Sequence, residues 1–160
     1  MSRKYTVFYA GTLTNAGGDC DLFELTPTDD KPIRLRGLIL GQTSEVADAA
    51  EEGLRISIIH LGSTVTSGNG TAVTPSPVDL ADSAAGFAAE ANGSTVATTS
   101  GTRTTMYEFA WNIRISPMEM WWPDPDLAPL CRQASALVVR CQTTAADDIS
   151  IAITAIVEEI

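Results

Sequence analysis

The stretch TTMYEFAWNIRI, residues 104–115, decides the fold of this chain. Its large apolar side chains recur at every second position, namely at Tyr107, Phe109, Trp111, Ile113 and Ile115. Successive side chains of a β-strand point to opposite faces, so this period of two predicts a strand with one buried face, whereas a helix would scatter the aromatic rings around its circumference. We therefore expect a central strand of an antiparallel sheet, with the large residues in the core and the polar ones toward solvent or a partner.

Similar alternation, bounded by turn residues, predicts further strands along the chain. They fall at 4–13, 20–26, 33–40, 54–61, 135–143 and 149–157, with a short one around Val96. Gly37 interrupts the alternation of IRLRGLIL, and a glycine inside a strand often marks a bulge. The only segment with helical character, 43–53, is equally compatible with an acidic connection. Eight or nine strands without a long helix predict an all-β fold, a two-sheet antiparallel β-sandwich of jelly-roll type with long loops.

The length of 160 residues predicts one domain, 1–160, large enough to bury a core without disulfides or metal. Residues 1–14 are predicted to form an N-terminal edge strand or arm, apolar on both faces. Residues 62–80 are rich in Gly, Ser, Thr and Pro and predict a long exposed loop or irregular arm. A loop of this length in a compact domain usually has a function.

Charge and cysteine content exclude several classes of function. A net charge of -10 and a pI near 4.3 argue against binding nucleic acid, which requires clustered Lys and Arg. The N-terminus has no apolar run long enough for a signal peptide or membrane span, so we expect a protein made in the cytosol, with no membrane partner. Cys20, Cys131 and Cys141 form no CxxC pair and leave one over, which predicts three reduced, packed thiols and no zinc site.

No catalytic constellation stands out, so we expect no enzyme, no cofactor and no metal. His60, the only histidine, lies inside a strand pattern and is predicted to be a structural or solvent-facing imidazole and not the base of a hydrolase triad. A cupin-like metal site would need clustered histidines. Neighbouring carboxylates are predicted to be solvated turn or chain-end residues. These are Asp29 with Asp30, Glu51 with Glu52, Asp124 with Asp126, Asp147 with Asp148, and Glu158 with Glu159.

The adjacent residues Trp121 and Trp122 precede three prolines. Neighbouring strand residues point to opposite faces, so both rings cannot enter one core, and one is predicted to cover an edge or an interface. A carbohydrate-stacking platform is the alternative, although aromatic burial at a sandwich corner or subunit contact is more common.

Across nearly the whole chain, the order of features resembles the small jelly-roll decoration, or cement, proteins on the capsids of tailed bacteriophages. The segments that carry the resemblance are DLFEL at 21–25, the apolar strand 33–40, SEVADAAEEGLRISIIHLGS at 44–63, the loop that follows, MYEFAW at 106–111, WWPDP at 121–125 and ISIAITAIVEEI at 149–160. The resemblance implies a non-enzymatic virion protein on the outer capsid surface, made in the host cytoplasm. It also implies a homotrimer that bridges major capsid proteins.

An assembly component needs apolar surface for its partners. We expect the N-terminal strand and the 62–80 loop to reach neighbouring subunits, and the 121–130 segment to form an oligomer contact. The predicted protein-interface residues are Tyr5, Phe8, Trp121 and Trp122. A tail or fibre module that binds a host glycan remains the alternative.

Overall fold

The computed structural model describes residues 2–13, 18–43, 52–115, 117–145 and 148–160. Strands dominate these residues and no helix is found in them, which confirms the predicted all-β fold. The strands are β1 (Arg3–Thr12), β2 (Cys20–Pro27), β3 (Ile33–Gln42), β4 (Gly53–Leu61), β5 (Val65–Thr66), β6 (Thr71–Val73), β7 (Ser76–Pro77), β8 (Phe87–Gly93), β9 (Thr98–Thr99), β10 (Arg103–Asn112), β11 (Met118–Trp121), β12 (Leu130–Cys131), β13 (Ala136–Cys141) and β14 (Ser150–Glu159). Most of the 43–53 segment, for which helical character was predicted, lies outside the described residues.

Two antiparallel sheets form a sandwich with jelly-roll topology. The first sheet has the order β11-β3-β14-β1-β7, with β12 also pairing with β3, and the second has the order β10-β4-β13-β2-β8-β6. In the first sheet, β1 is the neighbour of β14 and β3 is the neighbour of β11. In the second sheet, β2 is the neighbour of β13 and β4 is the neighbour of β10. The chain is therefore one long folded hairpin, with β4 and β10 at its closed end, rolled so that successive strand pairs alternate between sheets.

The position predicted for 104–115 was wrong in one respect. Strand β10 lies at the edge of the second sheet and not at its centre, because it is half of the hairpin that ends the roll. Its alternation is as predicted: Trp111 and Ile113 are fully buried, and Tyr107 and Phe109 are half-buried because the sheet ends beside them. The predicted burial of Ile115 was wrong, because this residue lies beyond the end of the strand and is 69% exposed.

The core lies between the sheets and is filled by the inward parity of each long strand. Side chains from both sheets form one contiguous apolar cluster. Bulges adjust the alternation at three places in the described strands, one of them in β10 between Thr105 and Tyr107. The predicted bulge at Gly37 is confirmed by a shift in register between β3 and β14, and an unpredicted one between β2 and β13 turns both Leu22 and Phe23 inward.

Residues 62–102 connect β4 to β10 and are here called the excursion. Residues 62–80, for which a long exposed loop or irregular arm was predicted, are all exposed or half-buried, but they contain the short strands β5, β6 and β7. Strand β8 pairs with β2, β6 pairs with β8, and β7 pairs with β1, so the excursion adds strands to both sheets. The sequence of β8, FAAEANG, has small side chains and gave no strand signal. Its strand conformation depends on pairing with residues distant in sequence.

Candidate functional site

The four predicted interface residues fall into two groups. The side chains of Phe8 and Trp121 are 59% and 51% exposed, whereas Tyr5 and Trp122 are 0% and 6% exposed. The interface prediction was wrong for Tyr5 and Trp122, because both side chains pack within the chain. For Phe8 and Trp121 it stays a prediction that their exposure permits.

Local packing explains why Tyr5 and Trp122 are buried. Tyr5 faces the core, where its ring contacts Phe87 edge-on with centroids 5.7 Å apart, and its hydroxyl donates to the carbonyl oxygen of Ser83 at 3.0 Å. Trp122 packs on Tyr107 of the other sheet, with centroids 5.4 Å apart. The prediction that only one of the two adjacent tryptophans enters the core is therefore confirmed. The sequence did not show which one.

Strand register places Phe8 and Trp121 on the same outer face of the first sheet. One row across the strands runs Phe8, Thr154, Ile39 and Glu119, and the next runs Thr6, Ile156, Gly37 and Trp121. With strands about 4.8 Å apart, Phe8 and Trp121 lie roughly 14 Å apart across the sheet. The half-buried Ile39 and Ile156 lie between them. We call Phe8, Ile39, Ile156 and Trp121 the apolar face.

The Trp121 ring is held in place although half of it is exposed. It lies over Gly37, where a Cβ atom would come within 2.6 Å of the ring atoms Cε3 and Cζ3 and within 3.1 Å of Cδ1 of Ile156. Its Nε1 donates to Oε2 of Glu119 at 3.0 Å. Only a residue without a side chain therefore leaves room for the Trp121 ring at position 37. A ring fixed in this way loses little conformational entropy when a partner covers it.

A groove of about 290 Å³ adjoins the Trp121 ring. Its lining residues are Lys4, Arg36, Trp121, Trp122, Pro123 and Ile156. Arg36 donates to Oε2 of Glu158 at 3.2 Å and to the carbonyl oxygen of Pro123 at 3.0 Å, and Lys4 is exposed. The groove combines an aromatic surface with two cationic side chains, which suits a partner group that is both apolar and acidic.

The other candidates form no recognisable catalytic site among the described residues. His60 is half-buried within β4, opposite Thr104 of β10 and Leu137 of β13. In the parts of the chain that the structure describes, no group of three or more His, Cys, Asp or Glu side chains is arranged to hold a metal ion. A second concavity, of about 210 Å³, lies on the outer face of the second sheet and is lined by Glu24, Thr26, Val65, Ser67, Ala88 and Glu90.

The carboxylate pairs divide between turns and strands. Asp126 donates its backbone N–H to Oδ1 of Asp124, and Asp30 donates likewise to Asp29, so both pairs are the exposed turn residues predicted. The prediction was wrong for Glu158 and Glu159, which belong to β14. Glu159 is only 3% exposed because its parity turns it inward, where Oε2 accepts the backbone N–H of Gly86 at 2.6 Å. Glu51 and Asp147 lie outside the described residues.

Over the described ranges, no helix has the length and apolar content needed to cross a bilayer. No family model and no curated protein matches the chain. A comparison with solved structures aligns 99% of the chain, at 13% identity, with 41% of a chain in a structure titled "Structure of infectious bursal disease virus Gx strain". The chain thus spans less than half the length of that one, and the TM-score of 0.21 is too low for the alignment to support any conclusion.

Proposed function

We propose that this protein is a structural virion component, a decoration or cement protein that binds the outer surface of a phage capsid and bridges major capsid proteins. The observation that carries the proposal is the apolar face on the outer side of the first sheet. The outer face of a two-sheet sandwich normally carries polar residues, because only the inner face is needed for the core. Here it presents two half-exposed aromatic rings with isoleucines between them.

The geometry of this face suits a protein partner. Aromatic side chains are enriched at the centres of interfaces, and rings that are already ordered contribute most of the binding energy in many complexes. Trp121 meets this description, since Gly37 and Glu119 fix its ring before any partner arrives. The net charge of -10 keeps the rest of the surface soluble and opposes nonspecific association between copies.

Site-directed variants with a matched control test the proposal. Phe8→Ser and Trp121→Ser each remove an exposed ring, and Ile115→Ser removes a 69% exposed apolar side chain that lies outside every predicted contact segment. Each protein is added to capsids assembled without it, and occupancy is measured by sedimentation and gel densitometry. We expect each of the first two variants to bind roughly tenfold more weakly or worse, and Ile115→Ser to bind like the unmodified protein. Equal occupancy for all of them would overturn the assignment of this face.

Point substitutions are preferable to truncation here. Deleting residues 1–10 would remove most of β1, which pairs with β14 at ten positions. A loss of particle binding after such a deletion would therefore report on folding. Circular dichroism and thermal unfolding of the two serine variants show whether the fold is retained.

A tail or fibre module that binds a host glycan is the second candidate, favoured by the groove beside Trp121. The half-exposed indole of Trp121 offers a stacking surface, and the exposed Lys4 offers a positive charge for an acidic sugar, whereas Arg36 already binds Glu158. A glycan array with the unmodified protein and Trp121→Ser distinguishes the two functions. Hits that depend on Trp121, together with no binding to capsids, would favour the glycan function.

A further inference from the structure

Strands β2 and β13 bring two of the three cysteines to directly opposite positions. Cys20, the first residue of β2, pairs with Cys141, the last residue of β13. Both side chains belong to the apolar core, and Cys20, Cys131 and Cys141 are all in the reduced thiol form. Opposite residues of antiparallel strands have side chains on the same face and Cα atoms about 4.5–5.5 Å apart. That separation lies within the range of about 4.4–6.8 Å found for disulfides.

The third cysteine is not placed to compete. Cys131 belongs to β12 and precedes the first residue of β13, whereas Cys141 ends that strand. The six residues of β13 span roughly 17 Å from end to end. Cysteines whose Cα atoms are more than about 7 Å apart cannot be joined without moving the backbone. Only the pair of Cys20 and Cys141 therefore has the geometry for a bond within the native chain.

We propose that Cys20 and Cys141 form a cross-strand disulfide when the protein meets a low-molecular-weight disulfide oxidant of the glutathione type. In the present state Sγ of Cys20 lies 3.7 Å from Oδ1 of Asn92, and Sγ of Cys141 lies 3.2 Å from the carbonyl oxygen of Thr143. Formation of the bond requires rotation about χ1 that brings the two sulfur atoms together. The two residues are at strand ends, where local opening is easiest.

The reaction is a pair of thiol–disulfide exchanges. One cysteine thiolate attacks a sulfur of oxidised glutathione, which forms a mixed disulfide and releases one glutathione. The second thiolate then attacks the protein sulfur of that mixed disulfide, which breaks the bond to glutathione and releases the second one. The two protons lost by the protein thiols pass to the two glutathione thiolates. Two electrons reduce the glutathione disulfide, so the reaction is balanced.

Burial makes the reaction slow but does not prevent it. Desolvation raises the pKa of Cys20 to about 12, so the thiolate is rare at neutral pH and the rate should rise with pH. The product joins the two inner strands of the second sheet and closes a loop of roughly 120 residues, which should raise Tm by roughly 5–15 °C. A protein synthesised under reducing conditions would thus become more stable in an oxidising medium.

Peptide mapping tests the proposal directly. The full chain is incubated in glutathione buffers that are reducing or oxidising, alkylated, and digested with trypsin without reduction. Cleavage after Lys and Arg leaves the three cysteines on separate peptides, since Arg132 and Arg140 lie between Cys131 and Cys141. We expect the dominant cross-linked peptide to join Cys20 to Cys141, with Cys131 alkylated, and the oxidised protein to have the higher Tm.

Alanine variants provide the controls. Cys131→Ala should keep both the cross-link and the rise in Tm, and Cys20→Ala and Cys141→Ala should lose both. Where the native chain oxidises too slowly to score, the same mapping is done after refolding from denaturant in the oxidising buffer. Cross-links that involve Cys131 to a similar extent, links between two chains, or no cross-link after refolding would each overturn the proposal.

Discussion

At the scale of single residues, three buried carboxylates hold the excursion to the sandwich. Asp21 accepts the backbone N–H of Ala97 at 2.6 Å, Glu24 that of Gly68 at 3.0 Å, and Glu159 that of Gly86 at 2.6 Å. Each carboxylate is less than 5% exposed. Burying a charge is unfavourable unless hydrogen bonds and opposite charges compensate. These carboxylates therefore satisfy loop N–H groups that would otherwise be buried without partners.

Asp21 forms an ion pair with Arg140 through two hydrogen bonds of 2.6 and 3.1 Å. Arg140 also donates to the carbonyl oxygen of Ala97 at 2.7 Å, so the pair satisfies both backbone groups of that residue. We predict that Asp21→Asn lowers the free energy of unfolding by about 3–5 kcal/mol, because it leaves the guanidinium buried without its counter-charge. Urea denaturation measures the change.

The control for this substitution is Asp30→Asn, which makes the same chemical change at an exposed turn. It should leave the urea midpoint almost unchanged. Similar midpoints for Asp21→Asn and Asp30→Asn would show that the buried ion pair contributes little to the stability of the fold.

Glu24 predicts a dependence on pH. Desolvation raises its pKa, although N–H of Gly68 and the Ser67 hydroxyl oppose the shift, and the charges of Glu90 and Asp21 add to it. A carboxyl whose pKa is higher in the folded state binds its proton more tightly there. As pH falls from above the raised pKa toward the ordinary value of about 4.3, this group therefore stabilises the fold increasingly.

Glu24→Gln removes that titration. We predict that the stability of the unmodified protein relative to Glu24→Gln increases as pH falls from about 7 to about 4, because only the unmodified protein gains a proton at this site. Urea midpoints of both proteins over this range give the difference in stability, from which the titration of groups that do not interact with Glu24 cancels. The raised pKa of Glu24 would be contradicted if the difference in stability did not change with pH, or if Glu24→Gln became the relatively more stable protein as pH falls.

At the scale of elements, the bulge in β3 links the fold to the apolar face. Gly37 interrupts the alternation of the strand, pairs with Trp121 of β11 and leaves room for the indole ring. Edge strand β10 has a bulge as well, between Thr105 and Tyr107, and carries the charged residues Arg103 and Glu108. Bulges and charges on edge strands are common protections against pairing with another chain.

A double-mutant cycle tests the contact between Gly37 and Trp121. We predict that Gly37→Ala lowers the free energy of unfolding by about 1–3 kcal/mol, because the new methyl group overlaps the indole ring. The same substitution should be nearly neutral in a Trp121→Ala background, where the ring is absent. Gly53→Ala, at a position with open space around it, is the control. Equal losses from Gly37→Ala in both backgrounds would mean that the ring is not the obstacle.

At the scale of the whole molecule, the proposed function requires an acidic protein to associate with other proteins. Each chain carries a net charge of -10, so copies repel one another at low ionic strength, and contacts must come from apolar surface such as the face with Phe8 and Trp121. A homotrimer remains a proposal based on resemblance. Its test is simple because the chain mass of 16.9 kDa is known.

Light scattering coupled to size exclusion checks the oligomeric state. We predict a mass three times that of the chain at physiological salt, shifting toward one chain at low salt as the repulsion between acidic surfaces becomes less screened. Trp121→Ser shows whether the apolar face takes part in this contact or only binds capsids. A mass equal to one chain at all salt concentrations would contradict the trimer.

Much of the architecture followed from the sequence alone, because side-chain alternation is a local property. The period of two in 104–115 and 149–157 placed strands there, Gly37 marked a bulge, and the number of strands without a long helix indicated the jelly roll. Adjacent tryptophans required that one leave the core. Each of these inferences needs only the geometry of a single strand or the count of strands.

The tertiary structure decided which face of each strand is buried and which strands are neighbours. Tyr5 is buried and Phe8 is exposed although both lie on an alternating strand with aromatics at both parities, and β10 is an edge strand despite its apolar pattern. Glu159 accepts a hydrogen bond from Gly86, 73 positions away in sequence, and β8 is a strand because it pairs with β2 and β6. Alternation shows that every second side chain of a strand is buried, but it does not show which of the two alternate sets that is. Pairing between strands distant in sequence decides which set faces the core.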